Sequence, residues 1–217
     1  MRAALFDMDR TLIRRETGSL WMRYQRDIGE ASLLDMARVT YWVMQYTFGV
    51  AKVESIAERL ARTLEGKSED AFIAQCEDWF DRYVAEHISD RGRRTVERHK
   101  ENGEVVAIVT GATPYAARPL ARRLGIDHVI ASELEVDATT KRFTGRHRKP
   151  LCYGHGKVSL STRLGGELGF ALDDATFYSD SVTDLPLLEA VKEPVVVNPD
   201  PRLRRHARRR GWRVETW

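Results

Sequence analysis

The sequence predicts an α/β fold, a doubly wound parallel sheet with a helical subdomain inserted into it. Three observations carry that expectation. Ala3-Ala4-Leu5-Phe6 is a short apolar run of the kind that forms a buried parallel strand, and it ends in two carboxylates one residue apart, Asp7 and Asp9. From Gly103 onward, apolar runs alternate with helical stretches, the pattern of a sheet covered on both faces. Between these parts, from Leu12 to Asn102, about ninety residues show helical periodicity and no strand signal, far more than an ordinary crossover needs. The division that follows is a sheet-bearing core of residues 1–12 and 90–217, with 13–89 as the insert.

The insert opens with Arg15–Ile28, whose larger apolar groups (Leu20, Trp21, Tyr24, Ile28) recur at near-helical spacing. Ala31–Val50 is more apolar and carries Tyr41, Trp42, Tyr46 and Phe48. A membrane span needs about 20 apolar residues with few charges, and Asp35 and Arg38 interrupt this stretch. It reads as a buried helix of a small bundle, with an interfacial membrane contact as the alternative. Val53–Leu64 and Glu69–Ile88 continue the helical pattern around Gly66-Lys67-Ser68, where Ser68 stands at a helix start. Asp90–Lys100 is the helix that returns to the core. An insert of this kind, next to the end of the first strand, has the placement of a lid.

In the core, Glu104–Val109 is the second strand, ending at Thr110-Gly111-Ala112-Thr113-Pro114, and a helix runs on to Leu124. His128–Ala131 is a short third strand, and Leu134–Val136 with Arg142–Thr144 reads as a hairpin on the sheet edge. A helix begins near Lys157 after the loop Lys149–Gly156. Ala175–Tyr178 is a further strand, ending in Ser179-Asp180-Ser181-Val182-Thr183-Asp184 before the helix Leu185–Val191. Pro194–Asn198 is the fifth strand, and a basic helix and the run Trp212–Val214 complete the sequence.

At 217 residues the chain can bury a full core, and 42% hydrophobic with 31% charged residues is a globular composition. Met1-Arg2-Ala3-Ala4 leads directly into the first strand and offers no signal peptide, while Cys76 and Cys152 are isolated; a reducing cytoplasm is the expected setting. The formal charge of +3 conceals an asymmetry. Seven arginines and no acid lie between Arg202 and Arg213, leaving 28 basic against 32 acidic residues elsewhere. Leu203, Ala207 and Trp212 give that block a packing side and no aromatic ladder accompanies the arginines, so it reads as the wet face of a terminal helix rather than a nucleic-acid surface.

Three strand ends share a chemistry. The first ends in Asp7 and Asp9, the second in Thr110 and Gly111, and a later one in Asp180 and Asp184, with Lys157 at a helix start before it. In a doubly wound sheet the C-terminal strand ends converge on one crevice. There the carboxylates suit a Mg²⁺ ion, a hydroxyl and main-chain amides suit a phosphate, and the ammonium neutralises charge, which is what phosphoryl transfer requires. Taken singly, Asp9, Thr110 and Asp184 also read as helix or turn caps, and Lys157 as surface.

Asp7-Met8-Asp9-Arg10-Thr11, Thr110, Lys157 and Asp180…Asp184 together resemble, in order, the four motifs of the haloacid dehalogenase (HAD) superfamily of aspartate-nucleophile phosphatases, across essentially the whole chain. Gly154-His155-Gly156-Lys157 and Ser179–Leu188 resemble its phosphoserine-phosphatase-like branch, subfamily IB. The resemblance implies a Rossmann-like core with a type-I cap. It implies Asp7 as nucleophile forming an aspartyl-phosphate, and Asp9 as acid and base whose main-chain carbonyl also binds Mg²⁺. It further implies Thr110 and Gly111 on the phosphoryl oxygens, Lys157 neutralising the phosphate, Asp180 as a metal ligand, and Asp184 as a ligand or its partner. The substrate would be a small phosphorylated molecule, and nucleic acid is not expected.

Glu16 stands nine residues after Asp7, where phosphoserine phosphatases place a glutamate for the substrate amine, and Arg59 loosely matches a cap arginine for the carboxylate. Arg10, Thr110-Gly111-Ala112, Ser181 and Thr183 depart from that enzyme's pattern at substrate-facing positions. Phosphoserine, histidinol phosphate and a lysophospholipid therefore all stand as candidates, as does phosphate transfer between sugar positions. His147, Cys152 and His155 do not meet zinc-ligand spacing and read as loop residues.

Overall fold

The computed structural model describes residues 1–32, 34, 37, 38, 41 and 53–217. Most of the aromatic stretch Ala31–Val50, with the membrane contact considered for it, lies outside the described residues. No described helix is long and apolar enough to cross a membrane.

Six parallel strands form the main sheet: β1 (Ala3–Phe6), β2 (Val105–Val109), β3 (His128–Ile130), β6 (Ala175–Ser179), β7 (Glu193–Val197) and β8 (Arg213–Glu215). Their spatial order is β3-β2-β1-β6-β7-β8, so the chain winds outward one way from β1 and then the other. The reversal places a crevice where β1 and β6 lie side by side, with Phe6 opposite Tyr178 in the register. The strands are apolar on both faces because both are covered. Ala4, Phe6, Val106, Ile108 and Tyr178 pack against Val96 of α4 (Asp90–Glu101) and Leu120 of α5 (Pro114–Leu124). Ala3, Leu5, Val109 and Phe177 pack against Leu160 of α6 (His155–Leu168), Leu188 of α7 (Leu185–Ala190) and Leu203 of α8 (Pro201–Arg210).

The run Trp212–Val214, to which the sequence reading gave no structure, overlaps the sixth strand, β8, paired to β7. Arg213 and Val214 are exposed and Glu215 half-buried, as suits an edge strand, and three residues are too few for the sequence pattern to mark. The arginines of α8 face outward while Leu203 and Ala207 are fully buried, as the spacing predicts.

The insert leaves and rejoins the sheet through a hydrogen-bonded neck. Ile13 bridges Ile88, and the amides of Arg14 and Ser89 donate to the carbonyls of His87 and Leu12. Beyond it stand α1 (Thr17–Asp27), α2 (Val53–Arg62) and α3 (Glu69–Trp79), the last running into a wider helical turn at Phe80–Val84. Ser68 caps α3 by accepting the Ala71 amide, as its position predicts. Leu20, Tyr24, Trp79, Phe80 and Val84 join the same apolar cluster as the sheet, so insert and core are packed together.

The hairpin of β4 (Leu134–Val136) and β5 (Phe143–His147) is not on the sheet edge, contrary to the sequence expectation. It forms a separate two-stranded sheet beneath the insert. The Gly66 amide donates to the Phe143 carbonyl, the Phe143 amide to Lys67, and the Glu69 amide to Lys141. Phe143 packs with Phe72, Cys76 and Tyr115. These partners lie some seventy residues away in sequence, which is why local patterning could not assign the hairpin.

Ser89 is buried at the neck and its hydroxyl accepts the Gly92 amide at 3.0 Å, capping α4. Ser89→Ala is expected to cost about 1–2 kcal/mol, read as a lower urea midpoint at unchanged slope.

Candidate active site

β1 delivers Asp7 to the C-terminal side of the sheet, where its amide donates to the Tyr178 carbonyl and fixes the strand end against β6. At that point Lys157 Nζ lies 2.7 Å from Asp7 Oδ1 and 2.7 Å from Asp184 Oδ2. Lys157 is 2% exposed, and Asp7 and Asp184 are buried with it. The lysine is aimed by the first turn of α6, which the loop before it covers closely. A Cβ on Gly156 would lie 1.8 Å from the Leu151 carbonyl oxygen, so only glycine lets this turn pass beneath the loop.

Asp184 stands at the cap position of α7 but makes no side-chain cap bond. Its Oδ2 accepts instead from Lys157 and from the Ser179 hydroxyl, at 2.7 Å each. Asp180 follows β6 and is met by Arg10, whose Nε is 3.2 Å from Oδ2. Arg10 reaches it from a left-handed turn at φ 53°, its carbonyl held by Asn198 Nδ2. Asp9, half-buried, accepts the Thr17 amide on Oδ1 at 2.8 Å. The cap reading and the catalytic reading of Asp9 therefore coexist, because the start of α1 fixes the side chain that faces the crevice.

Thr110, at the end of β2, accepts the Ala112 amide on its hydroxyl at 3.2 Å, leaving the hydroxyl proton to donate. Thr183 and Ser181 share a hydrogen bond of 2.9 Å. These groups, with Gly111 and Glu16, line one cavity of about 640 Å³ whose far wall is formed by insert residues, among them Trp21, Leu60, Leu64, Phe72 and Trp79. Arg59, one position before Leu60 on α2, is not among the lining residues. His147 and His155 are also outside the lining, and no zinc-like group of three ligands occurs among the described residues.

Sequence reasoning missed three supporting residues. Ser179 orients Asp184. Asp200 accepts the Val182 amide at 2.7 Å, and its own amide donates to the Asp180 carbonyl, clamping the loop that carries both acids. Tyr153 is hydrogen-bonded to Thr183 across the mouth. Only Ser179 left a signal, as part of the acidic strand end; the other two come from distant loops.

The electrostatics are those of a site with surplus negative charge. Burial pushes the Asp7 carboxyl up to about 7, and Lys157 only partly offsets it. Burial likewise raises Asp9 to about 6, against the Thr17 hydrogen bonds. Asp180 rises to about 8, through burial and then the neighbouring Asp7 charge. Burial alone would lower Lys157, but Asp184 and Asp7 outweigh it and keep the ammonium protonated. Four acids thus face one buried ammonium and the half-exposed Arg10. A divalent cation fits this oxygen-rich set: two carboxylates, Asp7 and Asp180, and a main-chain oxygen suit Mg²⁺. Such a site would need main-chain oxygen beside the carboxylates, since no three acidic, imidazole or thiol side chains among the described residues converge as metal ligands.

Residues 4–189 match the model of the haloacid dehalogenase-like hydrolases. The chain is 27% identical to histidinol-phosphatase of Neisseria meningitidis serogroup C over 97% of its length and 96% of that protein's. It is 32% identical to phosphoserine phosphatase SerB1 of Mycobacterium tuberculosis, covering 98% of this chain and 70% of that one. Among solved structures, a protein of unknown function from Bordetella pertussis Tohama I superposes with a TM-score of 0.91 at 32% identity, over 99% and 97% of the two chains. A phospho-aspartyl intermediate analogue of phosphoserine phosphatase shares the fold, with a TM-score of 0.70 at 20% identity, over 99% and 92%.

Two outcomes are expected. Because Asp7, Asp9 and Asp180 hold protons in the folded, metal-free state above their ordinary 3.8, that state binds more protons than the unfolded chain between about pH 4 and 8, and stability falls as pH rises. Asp180→Asn should therefore stabilise the metal-free protein by about 1–3 kcal/mol at pH 8 and by little at pH 4, in urea unfolding at each pH. Gly156→Ala should lower the thermal midpoint and displace Lys157, seen as a loss of catalytic rate larger than any change in KM.

Proposed function

Because the chain belongs to the haloacid dehalogenase-like hydrolase family, we propose that it is a Mg²⁺-dependent phosphomonoesterase acting on a small phosphorylated metabolite through an aspartyl-phosphate. The observation that carries this reading is Lys157 Nζ held between Asp7 and Asp184 at the floor of the cavity, on strand ends that also carry Asp9, Thr110 and Asp180. The phosphatase names of relatives that span nearly the whole chain support it.

In this reading an oxygen of Asp7 attacks phosphorus as the bond to the leaving oxygen breaks. Asp9 gives its proton to that oxygen, and the alcohol departs. A carboxyl raised to about 6 can hold the proton before transfer and take one back at neutral pH. Asp9, now ionised, accepts a proton from water, whose oxygen attacks phosphorus; the Asp7–phosphorus bond breaks and inorganic phosphate leaves with both acids restored. Thr110 donates its hydroxyl to a phosphoryl oxygen, and the Gly111 main chain holds another. Lys157 opposes the charge of the phosphate and favours the ionised form of Asp7 that attack requires. Thr183, at the cavity mouth, faces the substrate.

Asp7, Asp180 and the Asp9 carbonyl would hold Mg²⁺, which when bound would neutralise charge on the phosphoryl group and favour ionised Asp7. Asp184 was a candidate ligand from sequence. Its engagement by Lys157 and Ser179 makes it the group that positions the lysine. The described residues of the insert act as the cap that walls the cavity, and a cytoplasmic location accords with two buried free cysteines.

Of the two residues matched to phosphoserine recognition, Glu16 lines the cavity and Arg59 does not. Glu16, loosely paired with Arg10 at 3.9 Å, is placed for a substrate amine. Asp7→Asn should lower turnover of p-nitrophenyl phosphate with Mg²⁺ by more than about 10³-fold while leaving the fold intact by circular dichroism. Retained turnover would refute Asp7 as nucleophile. Mg²⁺ should raise the thermal midpoint of the parent protein, and Asp180→Asn should abolish that rise.

A further inference from the structure

Beside the acidic cavity lies a second one of opposite sign. It has a volume of about 400 Å³, and Arg10, Arg14 and Arg15 line it together with Ser19, Asn198 and Trp217. Among its described lining residues Glu16 is the only acid, and Glu16 also lines the catalytic cavity. Three guanidinium groups drawn to one cavity repel one another unless an anion joins them. The pairing that the protein itself supplies is thin. Arg10 lies 3.2 Å from Asp180 but 3.9 Å from Glu16. Arg14 is held at 3.0 Å by the Glu86 carbonyl, which brings no charge, and Arg15 makes no ion pair among the described residues.

The backbone is shaped to present these charges. Arg10 stands at φ 53° and Asn198, just past β7, at φ 43°. Asparagine visits the left-handed region with the help of local hydrogen bonds, whereas arginine has no such compensation. Glycine or asparagine would fit position 10 at less cost, and what arginine adds is the guanidinium. Two remote segments lock the turn: Asn198 Nδ2 donates to the Arg10 carbonyl at 2.9 Å, and Asn198 Oδ1 accepts the Trp217 amide at 3.0 Å. Left-handed residues over-determined in this way are characteristic of ligand clamps. A phosphate dianion suits the cluster, because its oxygens accept the paired N–H donors of guanidinium groups and its charge offsets their repulsion.

We propose that Arg10, Arg14 and Arg15 form a binding site for a phosphate dianion, separate from the centre of phosphoryl transfer and joined to it through Glu16 and the Arg10–Asp180 pair. The dianion is either the second phosphate of a doubly phosphorylated substrate or free inorganic phosphate. The first source rests on the phosphomonoesterase reading; the site itself does not.

Binding is measured first without metal. In EDTA the catalytic cavity keeps its surplus of acids and repels phosphate, so radiolabelled inorganic phosphate retained in equilibrium dialysis reports the arginine site. One phosphate per chain is expected, with Kd at or below about 1 mM. Arg15→Glu, which removes no hydrogen bond, and Arg14→Gln should each weaken it at least about tenfold with the fold intact by circular dichroism. Arg204→Gln combined with Arg205→Gln, on the basic face of α8, should leave it unchanged. The arm that separates the two sources adds Mg²⁺ and compares α,ω-alkanediol bisphosphates of increasing length with the matching alkyl monophosphates. A second-phosphate site gives kcat/KM at least about tenfold higher for one bisphosphate than for its monophosphate, a preference that Arg15→Glu removes. A free-phosphate site gives the dialysis result without that preference. No phosphate retained without metal, retention untouched by Arg15→Glu and Arg14→Gln, or equal loss in the α8 variant would each overturn the proposal. Absence of p-nitrophenyl phosphate turnover would overturn the phosphomonoesterase reading and leave the dialysis result to decide the arginine site.

Discussion

A lysine ammonium lies almost without exposure between two carboxylates at the floor of the cavity, 2.7 Å from each. Buried charges are tolerated only when paired and hydrogen-bonded, and removal of one partner typically costs about 3–5 kcal/mol. Much of the surrounding structure serves that requirement. β1 brings Asp7 to the strand end, the glycine turn of Gly154 and Gly156 lets α6 present Lys157, and Ser179 fixes the second carboxylate. Two acids against one ammonium still leave a negative excess, to which Asp9 and Asp180 add. Burial first, and that excess after it, raises their carboxyls, and the excess makes the site receptive to a cation and to the electropositive phosphorus of a phosphate ester.

The insert has a different physical task. Its neck at Ile13 and Ile88 ties it to the sheet, and its first helix both caps Asp9 through the Thr17 amide and contributes Trp21 to the far wall. One element therefore touches both the Asp9 carboxylate and the apolar side of the cavity. The hairpin of β4 and β5 supports the turn before α3 through main-chain hydrogen bonds and Phe143, and so sets the position of the helix that carries Phe72 and Trp79. The acids and Lys157 of the strand ends and the apolar side chains of the insert thus line one cavity.

Much of this was legible in the sequence because parallel strands are short, apolar and end in their functional residues. Asp7, Thr110 and Asp180 each follow such a run, and the strand order of a doubly wound sheet brings those ends together. Lys157 was readable only in company, since a lysine at a helix start has no local mark of burial. Helical periodicity does not tell which side of α2 meets the cavity: Leu60 lines it and Arg59, one position earlier, does not. The hairpin's place was not legible because its partners are remote, and β8 left no strand signal because it is three residues long. Asp200 and Tyr153 carried no pattern at all, their significance lying in a loop clamp and a mouth contact that appear only in three dimensions.

The account rests on phosphorus becoming bonded to the first carboxylate of the chain. Acid-quenching the enzyme during turnover with Mg²⁺ and reducing it with borohydride converts an acyl phosphate at Asp7 into homoserine, which peptide mass spectrometry reads directly. The account predicts homoserine at position 7 during turnover and aspartate there without substrate. Aspartate at position 7 throughout active turnover, or reduction at another acid, would contradict it.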